Sequence, residues 1–286
     1  MTFGIIGNLE KEGLREAVER LVSLLESHGI KYIIDAEIVN ALKLKSKHSG
    51  SAEECAASEI LVAFGGDGTI LHAARLVGVR GTPVLGVNLG KLGFLAEIAP
   101  EEMDEAIVEI VSGKYIIEER LVLEGTSSSM PGKTMHAVND IVIDKSRSPR
   151  LIDLATHIDG VFAVNYRADG LIISTPTGST GYALSSGGPI VTPTSAVIGI
   201  TPISPHTLSG RPLIVPEATI VRVIVNGPVE EVMVSADGQV ESFGKPPVEL
   251  QIKKADYTLK LVKRMGRSYF DVLRAKLLWG KDARSL

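Results

Sequence analysis

The chain has 286 residues, enough for about two domains, and its 44% hydrophobic and 22% charged content suits a globular protein with packed cores. A net charge of -4, with Lys and Arg spread along the chain, excludes the basic face that a nucleic-acid partner requires. No 18-residue apolar window exists, the start MTFGIIGNLEKEG lacks a basic-then-apolar leader, and the single Cys55 excludes an intramolecular disulfide; these features predict a soluble, cytoplasmic protein with no membrane partner.

Phe3–Gly7 is a short apolar strand, and Leu14, Ala17, Val18, Leu21 and Leu25 share one face of a helix that Gly29 ends. Tyr32–Ile34 reads as a second strand. Glu37–Gly50 reads as a helix fragment running into an exposed polar loop, KLKSKHSG. Cys55, in EECAAS, is better explained as a small buried helix residue than as a nucleophile. Ile60–Phe64 is apolar throughout and bounded by glycines, the pattern of a strand buried on both faces. Ile70–Val77 is helical, Pro83–Val87 is strand, and Pro100–Val111 is a helix with proline near its first position. This alternation predicts an α/β domain, residues 1–114, with a parallel sheet covered by helices.

From about Tyr115 the texture changes to short β-rich segments. These are Ile116–Leu123, His136–Ile143, Leu151–Ile158, Val161–Tyr166, Leu171–Ser174, Val197–Ile200, Ile220–Val225, Val232–Ser235, Val248–Ile252 and Thr258–Val262. Asp159-Gly160 marks a hairpin and Asn226–Pro228 a turn. Together they predict a β-rich, sandwich-like domain over residues 115–265. Tyr269, Phe270, Leu273, Leu277 and Leu278 predict a closing amphipathic helix within 266–286, and the pattern alone leaves open which domain it packs on.

The stretch VAFGGDGTILHAAR, Val62–Arg75, feeds a strand into a helix through three glycines. A helix start leaves backbone N–H groups unpaired where partial positive charge also lies, and glycine admits an anion close to the main chain. Such a glycine turn can hold a phosphate without a basic cluster. Asp67 is misplaced in such a cradle unless it binds a divalent metal or takes a proton from an attacking hydroxyl. From spacing alone, Asp67 or Thr69 as a helix cap explains the pattern equally well. The spacing is neither G-x-G-x-x-G nor a Walker loop, the kinase H-R-D and D-F-G signatures are absent, and the histidines form no metal-ligand spacing. A second dense stretch, ADGLIISTPTGSTGYALSSGGPI over Ala168–Ile190, clusters hydroxyls with glycines directly after a strand; a Ser/Thr/Gly loop with a short capped helix explains most such stretches, and its length also fits a binding loop.

GGDGT (Gly65–Thr69), VND (Val138–Asp140), ADGLIISTPTGSTGYALSSGGP and SADGQ (Ser235–Gln239) occur in the order found in NAD kinases, and NLGKLGFLAE (Asn88–Glu97) and TPISPHTLSGRPLIVP (Thr201–Pro216) are also similar to that family. The resemblance covers about residues 60 to 240. GGDGT alone is shared with phosphofructokinases and with diacylglycerol-type lipid kinases, so the specificity lies in the later motifs. The resemblance implies an α/β N-terminal domain like those of phosphofructokinase and diacylglycerol kinase, plus a β-rich C-terminal domain, with the closing helix of 266–286 returning to join the first. It implies phosphoryl transfer from ATP or polyphosphate, with a divalent metal such as Mg²⁺, to the 2′-hydroxyl of the adenosine ribose of NAD. Asp67 then matches the proton acceptor, and Gly65, Gly66, Gly68 and Thr69 line the donor phosphates. Asp67, Gly68, His72, Asn139, Asp140, Arg150, Arg167, Asp169, Thr177, Thr180, Gly181, Tyr182, Ala183, Leu184, Ser185 and Gln239 match the NAD-contacting positions. Asp140 stands where many relatives carry Glu, and Gly181 where many carry Ala. Metal ligands stay open, and a homodimer or homotetramer is implied. The alternatives are a lipid or sugar kinase sharing the glycine turn, and a dinucleotide sensor without turnover.

Overall fold

The computed structural model describes residues 1–277 except 47, 97, 208 and 267. The chain divides into two units, one made of residues 1–119 together with the chain from 259, the other of residues 120–258.

In the first unit, β1 (Thr2–Gly7), α1 (Leu14–Ser27), β2 (Lys31–Asp35), α2 (Ala36–Leu42), β3 (Ser49–Gly50), α3 (Ala52–Ala56), β4 (Ile60–Gly65), α4 (Asp67–Val77), β5 (Val84–Asn88) and α5 (Met103–Val111) follow in order. The strands pair in parallel in the order β5-β4-β1-β2-β3. Every residue of β4 and β5 is buried, because helices cover the sheet and leave no face for polar side chains. Leu14, Val18, Leu21 and Leu25 of α1 and Met103, Ile107 and Ile110 of α5 share one core with Phe3, Ile5, Val62, Phe64, Leu85 and Val87. Gly29 has φ 65° and ends α1 in the left-handed region that glycine enters without strain. Cys55 is buried in α3, and burial pushes its thiol up to about 11, which leaves it inert near neutral pH.

The second unit is built from antiparallel strands: β6 (Ile116–Ser127), β7 (Met130–Ala137), β8 (Asp140–Asp144), β9 (Ile152–Ile158), β10 (Val161–Ala168), β11 (Gly170–Ser174), then the one-turn α6 (Tyr182–Ser185), β12 (Val197–Ile203), β13 (Leu213–Pro216), β14 (Val221–Asn226), β15 (Val232–Ala236), β16 (Gln239–Gly244) and β17 (Val248–Lys263). One layer runs β10-β9-β14-β17 with β6 and β7 attached, and the other runs β13-β12-β11-β8-β15-β16. Ile141, Ile143, Leu171 and Ile173 of the second layer pack with Ile152, Leu154, Val221, Val223, Leu250 and Ile252 of the first. On the far face of β8 and β11, Ala183 packs with Val142, Ile172 and Ile203, so the hydroxyl-rich loop after β11 is folded down onto the sheet.

Two strand expectations change. His136–Ile143 is not one strand: β7 ends at Ala137 and β8 begins at Asp140, because the N–H groups of Val138 and Asn139 donate to Asp237 instead of to a ladder. Val248–Ile252 and Thr258–Val262 are one 16-residue strand, β17. The chain returns within β17 to the first unit, where Leu261 lies parallel to Val84, and closes with α7 (Tyr269–Leu277), whose Val272 and Leu273 are buried. Leu278 and the rest of the expected helix, to 286, lie outside the described residues.

Candidate active site

The strand β4 ends in the glycine turn. Gly65 has φ 158°, and a Cβ there would collide with the Thr69 side chain, so packing alone requires glycine. Gly66 and Gly68 differ. A Cβ at either would meet nothing within 4 Å, and neither has a positive φ, so the fold itself does not ask for glycine at these places. The N–H groups of Thr69 and Ile70 turn back to the Gly66 carbonyl, at 2.9 and 3.3 Å.

Asp67 is not the helix cap. Gly66 occupies that position, without a side-chain bond, and Asp67 is the first helical residue. Its carboxylate reaches across to the loop after β5: the N–H of Leu95 (2.9 Å) and of Ala96 (3.2 Å) donate to Oδ1, and that of Phe94 (2.9 Å) donates to Oδ2. Gly93 makes this approach possible, since a Cβ there would collide with the Asp67 carboxylate. The Nζ of Lys276, on α7, stands 3.9 Å from Oδ2. His72 is exposed, one turn further along α4 from Gly68. A cavity of about 530 Å³ adjoins the turn: Asn88, Leu89 and Gly90 line it, and the Leu89 N–H donates to the Gly65 carbonyl at 2.9 Å, while Glu12, Glu16 and Glu101 face Arg20, whose guanidinium is tied to Asp104.

In the second unit the pivot is Asp237, in the turn between β15 and β16. Its carboxylate accepts from the N–H groups of Val138 (2.9 Å), Asn139 (2.7 Å) and Asp140 (3.3 Å) and so sets the corner that carries Asn139 and Asp140. The TPTG turn locks onto the same corner. The Thr175 hydroxyl donates to the Val138 carbonyl at 2.5 Å, the Thr175 N–H donates to the Asn139 carbonyl at 2.9 Å, and a Cβ at Gly178 would collide with that carbonyl. Asp140 is 5% exposed. Burial, and then the nearby Asp237 charge, push its carboxyl up to about 7.

Asp169 precedes β11 and pairs with Lys145 Nζ at 2.5 Å. Burial first, and Asp169 second, raise the neighbouring Asp144, while the Ser146 N–H and Lys145 oppose the rise. Tyr182 feels this acidic group as well. Its hydroxyl is raised chiefly by burial and then by Asp144, Asp169 and Asp140. The fold thus brings Asp140, Asp169, Gly181 and Tyr182 into one neighbourhood, with a Cβ built at Gly181 lying 3.9 Å from Asp140 Oδ2.

The remaining expected contacts divide by environment. Thr177 is 6% exposed, and its hydroxyl is buried with no hydrogen-bond partner among the described residues, a group that a ligand would satisfy. The Thr180 hydroxyl donates to the Thr177 carbonyl at 3.1 Å, and Ala183 is spent in the core. Leu184 is half-buried; Ser185, Gln239, Arg167 and Arg150 are exposed, Arg150 in the turn before β9 and Arg167 near the end of β10. Sequence reading missed Asp237, Gly93, Lys145 and Lys276. The first two lay inside quoted motifs, SADGQ and NLGKLGFLAE, but their partners are distant in sequence. Lys145 and Lys276 carry no local signal.

No helix among the described residues is long and apolar enough to cross a membrane. The chain matches the model of the ATP-NAD kinase N-terminal domain over residues 3–115 and that of the ATP-NAD kinase C-terminal domain over residues 138–264. It is 40% identical over 290 residues to an NAD kinase of Bacteroides fragilis, covering 99% of this chain and 100% of that protein. Among solved structures it is similar to yeast NADH kinase complexed with NADH, with TM-score 0.91, 28% identity, and coverage of 99% of this chain and 89% of that one. It is also similar to an NAD kinase from Archaeoglobus fulgidus in complex with ATP, with TM-score 0.77, 27% identity, and coverage of 96% and 99%. Matched end to end by its relatives, and over both units by the two domain models, the chain belongs to the ATP-NAD kinase family.

Proposed function

We propose that the protein is an NAD kinase that transfers the terminal phosphoryl group of ATP, or of polyphosphate, to the 2′-hydroxyl of the adenosine ribose of NAD, giving NADP. The observation that carries the proposal is Asp67 at the first turn of α4, fixed by three backbone N–H groups between two glycines, Gly66 and Gly68, whose lack of a side chain serves no packing need. Donor phosphates approach the amides there, and Asp67 accepts the proton of the attacking hydroxyl late in a loose transition state. The Asn139–Asp140 corner, Asp169 and the loop from Thr177 to Ser185 hold the dinucleotide, since carboxylates accept hydrogen bonds from a diol or an amide and repel phosphate. Gln239, Arg167, Arg150 and His72 belong to the same reading as peripheral contacts. The relative with bound ATP supports ATP as donor, and the relative with bound NADH supports a nicotinamide dinucleotide as acceptor.

Mg²⁺, when bound to the donor, neutralises phosphate charge and needs only one or two protein carboxylates besides the phosphate oxygens. A cytoplasmic homo-oligomer completes the proposal; one buried thiol suits a reducing compartment. The test is NADP formation from NAD by purified protein with ATP or polyphosphate and Mg²⁺, read with an NADP-specific dehydrogenase. No product with either donor overturns the reading. Asp67→Asn is expected to lower kcat by roughly 10²–10⁴-fold while NAD binding measured by calorimetry persists.

A further inference from the structure

A cation reaches Asp67 from the far end of the chain. Lys276, in the last turn of α7, places its ammonium 3.9 Å from Asp67 Oδ2 and 4.6 Å from the centre of the Phe94 ring. Phe94 serves both groups: its N–H donates to Oδ2 and its ring face attracts the ammonium. The Tyr269 ring, at the start of α7, lies 6.3 Å from that of Phe94, so the helix and the loop meet at an aromatic contact.

The acceptor places on Asp67 can be followed one by one. An ionised carboxylate has about four. Leu95 and Ala96 take two on Oδ1, and Phe94 takes one on Oδ2. The remaining place is on Oδ2, the oxygen nearest Lys276. At 3.9 Å the ammonium is beyond hydrogen-bond distance and does not fill it. A hydroxyl can therefore donate to Asp67 with a full positive charge alongside.

Charge balance asks for such a cation. A triphosphate brings several negative charges to a turn, Gly65–Thr69, that contains a carboxylate and no basic residue. Helix-start amides offer only partial charge. As a mere tether, a partly exposed ion pair without a hydrogen bond contributes little to stability.

We propose that Lys276 is a catalytic residue of the phosphoryl transfer, its ammonium binding the oxygens of the migrating group beside Asp67; this rests on the NAD kinase reading above. In the step, the ribose 2′-oxygen forms a bond to the terminal phosphorus. The bond from that phosphorus to its bridging oxygen breaks, and the electron pair leaves with the nucleoside diphosphate. The hydroxyl proton passes to the open place on Asp67 Oδ2 and then to water. Lys276 keeps its proton and donates to the phosphoryl oxygens as charge spreads over them.

The experiment compares unmodified protein, Lys276→Met and Lys276→Arg. Steady-state rates are taken with NAD and MgATP each varied. Affinity for adenylyl imidodiphosphate is measured at two salt concentrations, and melting temperature is recorded for each protein. Lys276→Met is expected to lose roughly 10²–10³-fold in kcat, as for one transition-state donor. Its KM for NAD and its melting temperature stay unchanged, its analogue affinity falls most at low salt, and Lys276→Arg recovers part of each loss. Unchanged kcat and analogue affinity in Lys276→Met overturn the proposal. So does a loss shared equally by both variants with a lowered melting temperature, which marks a tether. If unmodified protein makes no NADP, the NAD kinase reading fails by itself. Analogue affinity then decides Lys276: a salt-dependent loss keeps it as a phosphate-binding cation, and no change removes it.

Discussion

An alanine at position 68 would project into open space on the first turn of α4, at a backbone angle any residue accepts. Gly68→Ala is therefore expected to raise stability by up to about 1 kcal/mol through helix propensity, while kcat/KM for ATP falls roughly 10- to 100-fold because the methyl group meets the incoming phosphates. Melting curves and donor kinetics on the same preparation check both halves. Asp140 makes the opposite exchange. Its carboxyl sits at about 7 in the folded protein, against about 3.9 in an unfolded chain. Between those values the folded state holds the extra proton, so the contribution of Asp140 to stability is complete below pH 4, declines as pH rises, and is gone above pH 7. Asp140→Asn is expected to be more stable than the parent above pH 7 by a few kcal/mol on the order expected from such a shift, the difference vanishing near pH 4, as melting temperatures across pH 4–8 would show. NAD affinity in the parent is expected to rise through pH 7, because the ionised form accepts at both oxygens with a full charge, whereas the protonated form turns one oxygen into a donor. The asparagine variant loses that dependence.

At the scale of elements, the hairpin β15–β16 acts as a bracket for another part of its unit. Asp237 and Gly238 take φ 49° and 74°, as a tight two-residue turn demands, and the Asp237 side chain is spent across the sheet on Val138–Asp140. Asp237→Ala leaves those N–H groups without their acceptor, at about 1–3 kcal/mol for each that stays buried. A lowered denaturation midpoint with a raised KM for NAD is the expected result. This bracket also shows what could be read from the chain. The strands β4 and β11 and the glycine turns were legible because their signals are local: an unbroken apolar run, then glycines and hydroxyls at short spacing. The break between β7 and β8 was not legible, since HAVNDIVI alternates well enough for one strand and only the distant Asp237 interrupts it. For the same reason the partners of Asp67, Phe94 to Ala96 and Lys276, stayed hidden while Asp67 itself stood out.

At the scale of the whole molecule, among the described residues no group of three or more His, Cys, Asp or Glu could hold a metal ion. A metal carried by the donor phosphates stabilises nothing in the protein alone. Chelation by EDTA is accordingly expected to abolish NADP formation while leaving melting temperature and NAD affinity as they were, since only a ligand bound to the folded state shifts unfolding. A metal-dependent melting temperature would instead place the ion on the protein.

The first unit is assembled from both ends of the chain, with residues 120–258 between them. On a ribosome, its early portion emerges first and then waits while the 139 residues of the other unit are made, roughly 7 to 28 s at 5–20 residues per second. Only afterwards do the end of β17, from Leu259, and α7 arrive to close it. A nascent polypeptide arrested before Leu259 would carry a finished β unit beside an unfinished partner, so cells that stall late in the message would accumulate inert fragments instead of weakly active ones.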